Sequence, residues 1–426
     1  MRQRDAYRVY LILQGAFSLC FATIVTTNLV YQAQTARLNP LQLVLVGTVL
    51  EATSFVCQVP TGVLADRYSR RAAVIAGYAL TGAGFVLEGA IPRFETILLA
   101  QVIWGAGITL TDGAQEAWIA GEVGEERLGH VFLRSTQVAE VAGLAGVAIS
   151  VALASVRLNL PLVVGGVAIV ALAGYLALAM PETGFHPAPR AGRTTWGSLG
   201  ITFREAARAV RRRPVLLTIL VIAAFYGLSS EGFDRLWTPH LLHDITLPAL
   251  GPLRPVVWFG IISAVSSLLA LVSTEVVRRR LDLRHHRAVA WTLCGMTALS
   301  VAGMVAFGLA PDLVVALGAY WVYALARGAA RPVKSAWLTQ QIDPEVRATV
   351  LSMSGQVDAL GQIAGGPAIG AIGNASLRAA IVVAGLALAP ALPLYARAAG
   401  QGRDLAPDET AVVDGEAEAV GRSPGP

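Results

Sequence analysis

Residues 160–180 read LPLVVGGVAIVALAGYLALAM, an apolar stretch without one charged side chain. A helix of about 20 such residues crosses the roughly 30 Å hydrocarbon core of a bilayer. Similar runs recur along the whole sequence. We place twelve predicted spans at 9–31, 41–64, 72–90, 95–118, 134–155, 160–180, 214–240, 255–277, 288–310, 312–333, 347–371 and 377–396. The sequence therefore predicts an all-α membrane protein with twelve transmembrane helices.

The composition supports a membrane protein and excludes several other classes. Of the 426 residues, 55% are hydrophobic and 14% are charged, against about a quarter charged in soluble domains. A soluble enzyme, a disordered scaffold and a nucleic-acid binder are excluded, despite the pI of 9.3. The sequence contains no G-x-S-x-G, H-E-x-x-H or G-x-x-x-x-G-K-[ST] motif. The three cysteines have no metal or disulfide spacing, so we predict no enzyme activity, metal or cofactor.

The distribution of basic residues predicts the orientation. Arg and Lys number 33, all arginine except Lys334. With the N-terminus in the cytoplasm, 26 of them fall in segments on that side and five in the opposite loops. Cytoplasmic loops carry such an excess of basic residues, so both termini are expected in the cytoplasm. The preference for Arg over Lys, with abundant Ala, Gly and Val, is typical of a bacterium with a GC-rich genome. The expected location is therefore a bacterial cytoplasmic membrane.

The chain divides into two similar halves. We predict an N-terminal six-helix bundle (1–180), a cytoplasmic central loop (181–213), a C-terminal six-helix bundle (214–396) and a disordered cytoplasmic tail (397–426). At an offset of 219 residues, Trp118 matches Trp337 and Gln137 matches Gln356. Duplicated bundles with a substrate site between the halves are a common transporter architecture.

Charged residues divide the predicted spans into two groups. The third, sixth, ninth and twelfth spans have no charged residue in their interior except for Glu88, near the outer end of the third, and Arg378 lies at the first turn of the twelfth. These four spans are expected to face lipid. A charge inside the bilayer is costly unless it faces a cavity or a partner, so the other spans are expected to line a polar path. The candidates for its wall are Gln58, Trp104, Asp112, Arg235, Tyr323, Arg327, Gln356 and Gln362.

Five carboxyl groups are candidates for binding protons during transport. They are Glu51, Glu140, Glu231, Asp234 and Asp358. A carboxyl group in a cavity of low dielectric constant keeps its proton closer to neutral pH, which suits proton coupling. The alternative is a structural ion pair, which we favour for Glu231 and for Asp234, whose partner would be Arg235 or Arg327. Glu51 and Asp358 have no obvious local partner, which favours function.

His240, His243 and Asp244 have a metal-like spacing, but their position at the outer end of a span indicates a surface location.

The connection between the second and third spans reads GVLADRYSRR at residues 62–71. It resembles the G-x-x-x-D-[RK]-x-G-R-[RK] signature of the major facilitator superfamily, with Ser69 where the family often has Gly. The resemblance implies the major facilitator fold and a cytoplasmic latch that favours the outward-facing state. The residues of this latch motif are Gly62, Asp66, Arg67, Arg70 and Arg71. Gly62 is expected to allow close helix packing, and Arg70 and Arg71 to pair with Glu116 or Glu122.

The stretch from Glu51 to Gly62 resembles bacterial exporters of the drug/proton antiporter type. Their Gly-Pro-rich motif of the fifth helix is missing here, and a similar stretch, Gly361–Gly370, lies in the eleventh span, where small residues allow close helix packing. The expected function is proton-coupled efflux of small organic molecules or drugs by a monomer that needs only a proton gradient. Two alternatives remain, a proton-coupled importer on the same fold and a membrane-embedded receptor or enzyme.

Overall fold

The computed structural model describes residues 2–185, 208, 210, 214–249, 251, 254–280, 285–340, 342 and 347–401. Most of the predicted central loop and tail lies outside the described residues. The described chain contains helices and short connections but no strand. This arrangement confirms the all-α class.

The helices follow the apolar runs of the sequence. They are α1 (Arg2–Gln34), α2 (Pro40–Arg67), α3 (Arg70–Ala90), α4 (Phe94–Thr111), α5 (Ala114–Val123), α6 (Glu125–Val156), α7 (Leu160–Ala179), α8 (Pro214–His243), α9 (Val256–Arg280), α10 (His286–Gly308), α11 (Leu313–Gln340), α12 (Arg347–Ala375), α13 (Leu377–Leu388) and α14 (Ala391–Ala399). The span predicted at 95–118 is divided at Gly113, whose positive φ of 72° ends the helical path between α4 and α5.

Ten stretches of the described chain are long and apolar enough to cross a membrane, and a multi-pass membrane protein is therefore confirmed. The helices α9 and α12 occupy the eighth and eleventh predicted spans but are not among these ten. In α12, Gln356, Asp358 and Gln362 lower the hydropathy. The total of twelve spans remains a prediction.

The buried apolar side chains form several clusters. One cluster draws its residues from 6–180 alone, and another from 210–398 alone. A third combines Val30, Val44 and Ala154 with residues between 233 and 384, and so joins the two predicted halves. The bundle boundaries themselves remain predictions.

The glycine-rich helix α12 makes the close contacts expected of small residues. A β-carbon added at Gly361 would overlap the backbone of α8, at the carbonyl oxygen of Ala224. One added at Gly370 would lie 3.0 Å from Cβ of Val44 on α2. One face of α12 therefore packs on its own half, and another face packs across on the N-terminal half.

The lipid-facing position of the third span remains a prediction. One side of α3 is buried from Ala73 to Gly89, because it packs on α4 and α7. Another side is exposed at Ala76, Leu80 and Ala83. Glu88 has no exposed surface.

Candidate transport cavity

A cavity of about 380 Å³ lies between α2 and α4 of the N-terminal half and α12 of the C-terminal half. Its polar lining includes Glu51, Gln58, Asp112 and Gln356, with Trp104 on its apolar side. These five residues were all candidates from the sequence. The structure therefore places them in one space at the interface between the halves.

Glu51 occupies this cavity without a bonded cation. It forms no hydrogen bond or ion pair with another residue that the structure describes. Glu231, Arg235 and Asp358 are close enough to act on its charge. Nearby, Gln356 Nε2 donates a hydrogen bond to Gln58 Oε1 and so links the two halves.

Glu231 and Arg235 form a buried ion pair on α8. The distance from Arg235 Nε to Glu231 Oε1 is 2.9 Å, and the side chains are 16% and 5% exposed. The pair lies against the bare backbone of Gly47 on α2, where an added β-carbon would overlap both side chains. The ion-pair alternative for Glu231 agrees with this geometry, and the pair contacts the opposite half.

A second cavity, of about 320 Å³, lies among α8, α9 and α11. Arg327 Nη1 lies 2.5 Å from Asp234 Oδ1 and also donates to the hydroxyl oxygen of Tyr323. The partner of Asp234 is therefore Arg327 and not Arg235. Tyr320 and Trp237 add aromatic walls, and the exposed Arg331 lies at the edge.

Asp358 lies on α12 with an amide neighbour and a cation at longer range. Gln362 Nε2 donates a hydrogen bond of 3.0 Å to Asp358 Oδ2. Lys334 is close enough to interact with the Asp358 charge, and its Nζ lies 4.8 Å from the ring centre of Tyr226. Sequence reasoning missed Lys334, although its being the single lysine was a signal.

Glu140 does not join the other candidates. Its side chain is exposed on α6, and it lines neither of these two cavities.

The latch motif has different partners from those predicted. Arg70 Nη1 donates to the carbonyl oxygen of Ala117 at 3.0 Å, and Nη2 lies 3.4 Å from Asp66 Oδ1. Arg71 Nη2 donates to the carbonyl oxygen of Ala177 at 2.5 Å. These contacts all lie within the N-terminal half.

The predicted pairing of Arg70 and Arg71 with Glu116 or Glu122 is wrong. Glu122 instead accepts hydrogen bonds from the backbone N–H groups of Thr183 and Gly184, at 2.5 and 2.9 Å. Glu116 accepts one from its neighbour Gln115 at 3.3 Å. Glu122 fixes the chain after α7, which leaves it unavailable to the arginines.

Ser69 shows why the family's usual Gly is not needed here. Its φ of −171° is extended backbone, and its Oγ caps α3 by accepting from Ala72 N at 2.9 Å. The same hydroxyl donates to Glu182 at 2.7 Å, and Arg71 N donates to Glu182 Oε1 at 2.9 Å. Glu182 is thus the acidic partner that sequence reasoning missed.

The three remaining latch residues, Gly62, Asp66 and Arg67, make few contacts. A β-carbon added at Gly62 would meet nothing within 4 Å, so this glycine does not serve close packing. The side chain of Asp66 is 62% exposed. The Arg67 guanidinium carbon lies 5.9 Å from the ring centre of Tyr68.

The predicted surface location of His240 is wrong. His240 is fully buried, with Nδ1 2.7 Å from Asp244 Oδ2 and Nε2 3.1 Å from the carbonyl oxygen of Phe307. His243 is exposed. Within the described part of the chain, no group of three or more His, Cys, Asp or Glu is arranged to hold a metal ion.

Glu88 was overlooked as a site residue. Gln32 Nε2 and Gln101 Nε2 donate to its two carboxyl oxygens, at 2.7 and 3.0 Å. The signal was present in the sequence, because Gln32 and Gln101 flank or interrupt apolar spans.

Comparison with known proteins agrees with this architecture. The family model described as Major Facilitator Superfamily matches residues 11–366. The chain belongs to the major facilitator superfamily. It is 25% identical over 365 residues to the uncharacterized MFS-type transporter YxaM of Bacillus subtilis strain 168, which covers 83% of this chain and 86% of that protein.

Solved structures of this superfamily share the fold. A bacterial homologue of the human lysosomal transporter Spinster, inward-facing and unoccupied, has a TM-score of 0.72 at 18% identity, covering 95% of this chain and 99% of that one. The nucleoside transporter NupG has a TM-score of 0.72 at 14% identity, covering 92% and 98%. The peptide transporter POT in complex with sulfate has 0.67 at 13%, covering 92% and 95%. The chain is therefore a multi-pass membrane transporter of this superfamily and not an enzyme.

Proposed function

We propose that this transporter exports small organic molecules and is driven by protons that enter the cell. The observation that carries the proposal is Glu51, a carboxyl group in a cavity between the two predicted halves, with no basic side chain bonded to it among the described residues. Such a group can gain and lose a proton without breaking an ion pair.

The interface between the halves supports alternating access. At the predicted outer end, α2 and α12 are in direct contact, and the backbone N–H of Leu41 donates to Asn374 Oδ1 at 3.1 Å. Farther towards the predicted cytoplasmic end, the cavity around Glu51 lies between the same two helices, which the hydrogen bond from Gln356 to Gln58 joins at its wall. Direct helix contact at the outer end, with a cavity on its cytoplasmic side, suits a state closed to the outside.

Protonation of Glu51 changes the electrostatics of the interface. An ionised Glu51 adds a negative charge near Glu231 and Asp358 and close to Arg235. A proton removes that charge, which relieves the repulsion from Glu231 and Asp358 and also ends the attraction to Arg235. We infer that the proton and the substrate occupy this site alternately, so that proton binding in the outward-facing state accompanies release of the substrate to the outside.

The latch motif fits the same cycle. Its contacts lie within the N-terminal half, as expected when the cytoplasmic side is open. We propose that the exposed Asp66 finds its partner on the C-terminal half only in the outward-facing state. The protein is further proposed to have twelve spans with both termini in the cytoplasm and to reside in a bacterial cytoplasmic membrane. It is proposed to act as a monomer whose partners are a small-molecule substrate, protons and the lipid bilayer.

A transport assay with Glu51→Gln tests the proposal. Proteoliposomes with an imposed proton gradient are scored for the movement of a panel of dyes and antibiotics. The matched control is Glu95→Gln, an exposed carboxyl group at the start of α4. We expect transport by the unmodified chain and by the control, and its loss in Glu51→Gln and with a protonophore.

Coupled efflux that survives Glu51→Gln would refute the role of this residue. Movement of the compound in the same direction as the protons would instead identify an importer.

A further inference from the structure

A second buried polar site lies apart from the transport cavity, among α1, α3 and α4. It consists of Asn28 and Gln32 on α1, Glu88 on α3 and Gln101 on α4. Their exposures are 7%, 0%, 0% and 1%, in that order. None of the four lines the cavity that contains Glu51.

The Glu88 carboxyl group is surrounded by amides. Gln32 and Gln101 each donate one N–H to it, at 2.7 and 3.0 Å, and Asn28 is a third hydrogen-bonding neighbour. The hydroxyl of Tyr31 donates to the backbone carbonyl oxygen of Glu88 at 2.6 Å. Arg235 lies within electrostatic range, but its direct bond is to Glu231.

The same three amides share an unusual feature. The buried oxygens Asn28 Oδ1, Gln32 Oε1 and Gln101 Oε1 all lack a hydrogen-bond donor. A buried polar atom without a partner is rare and costly. Three buried amide oxygens at this site thus have no hydrogen-bond donor, and no basic side chain that the structure describes is bonded to the carboxylate.

We propose that this site binds a sodium ion. One carboxylate balances a monovalent charge, and carboxylate and carbonyl oxygens are the ligands that hard cations prefer. Rotation of an amide by 180° exchanges its nitrogen and oxygen, so each amide can turn its oxygen towards the ion. A proton on Glu88 would satisfy only one of the three oxygens, whereas a metal ion coordinates several.

The sodium site goes beyond the proposed function, because proton binding at Glu51 does not require it. The ion links three helices of the N-terminal half near the predicted outer end. Tyr31 and Arg235 are the titratable groups that face Glu88. Sodium binding is therefore expected to stabilise the N-terminal half directly, whatever substrate is carried.

Binding of radioactive ²²Na⁺ to the purified full-length protein tests the proposal, together with thermal unfolding in sodium or choline chloride. We expect saturable binding and a rise in Tm of about 2 °C at tenfold excess over Kd. Glu88→Gln is expected to abolish both effects, and the control Glu95→Gln to keep them. Gln101→Leu, which removes one oxygen and keeps the carboxylate, is expected to weaken binding at least tenfold and serves if Glu88→Gln does not fold.

Three results would overturn the sodium site. The first is the absence of binding to the unmodified chain, and the second is undiminished binding to the Glu88 and Gln101 variants. The third is a Tm in choline that rises as the pH falls and no longer rises in Glu88→Gln, which would identify the ligand as a proton and not sodium. The assay needs no transport, so its failure is distinguishable from failure of the Glu51 proposal.

Discussion

In the C-terminal half, Glu231 and Asp234 are each bonded to an arginine of the same half, at 2.9 and 2.5 Å. In the N-terminal half, Glu51 and Glu88 are bonded to no basic side chain that the structure describes, and Glu88 has only amides around it. A carboxylate paired with arginine resists protonation, because a proton would leave a lone guanidinium cation. The difference indicates that the charges of Glu231 and Asp234 are each balanced by an arginine, whereas Glu51 and Glu88 can take up a proton without breaking an ion pair.

The largest effect is expected from removing one member of the buried pair on α8. Arg235→Gln leaves Glu231, with a side chain only 5% exposed, as an unpaired charge. Breaking a buried pair in this way costs about 3–5 kcal/mol. Thermal unfolding in detergent should show a large drop in Tm, with Arg254→Gln in the exposed 254–255 connection as the control.

The double variant Glu231→Gln/Arg235→Gln sharpens the comparison. It leaves no lone charge, so most of the lost stability should return. A double variant as unstable as Arg235→Gln would mean that the pair acts through packing and not through charge balance.

A smaller loss of stability is expected from a change at Gly47 on α2, where the ion pair of Glu231 and Arg235 contacts the N-terminal half. Gly47→Ala places a β-carbon on Glu231 and Arg235, so α2 must move away from α8. Overpacking of this kind costs about 1–3 kcal/mol. We expect the predicted outer end to open in Gly47→Ala. The measurement is thiol labelling of a cysteine introduced at Leu41, which should be greater in the Gly47→Ala variant than in the otherwise unmodified chain.

Gly62→Ala is the matched control for this prediction, because nothing lies within 4 Å of its β-carbon. Equal labelling in the Gly47 and Gly62 variants would show that the contact at Gly47 does not close the interface.

The smallest loss of stability is expected from removing a serine that caps a helix, and each half has such a serine to compare. Ser69 caps α3 and also bonds Glu182, whereas the Ser376 hydroxyl accepts from Ala379 N at 3.2 Å. Loss of a cap costs about 1 kcal/mol. Ser69→Ala should therefore lower Tm more than Ser376→Ala, since it also removes a hydrogen bond to a carboxylate. Equal shifts would mean that the bond to Glu182 contributes nothing to stability.

The fold was largely accessible to sequence reasoning because a helix that crosses a bilayer needs a long apolar run. The repeat was informative as well. Trp118 and Trp337, 219 residues apart, are both buried, and both use the indole N–H, towards the carbonyl oxygen of Pro181 and towards His286 Nδ1. Glu51 and Gln356 were separate candidates from the sequence, because a polar residue in a span must face a cavity or a partner, and the structure brings them to one cavity.

What the sequence did not reveal is which polar group meets which. Three acidic residues lie near the predicted cytoplasmic end, namely Glu116, Glu122 and Glu182. Ser69 bonds Glu182 because the chain after α7 returns to the start of α3, and the sequence does not reveal that path. Glu88 lies in an otherwise apolar run, where its burial depends on how α1 and α4 pack. Spacing along one helix contains no information about those neighbours.

The single lysine has a practical consequence for labelling chemistry. Lys334 is half-buried on α11 beside Tyr226 and close to Asp358. Reagents that acylate amines can therefore modify one defined side chain of this sequence without any mutagenesis. The rate of that reaction reports whether water and reagent reach α11, and so follows the opening and closing of the transporter in its native sequence.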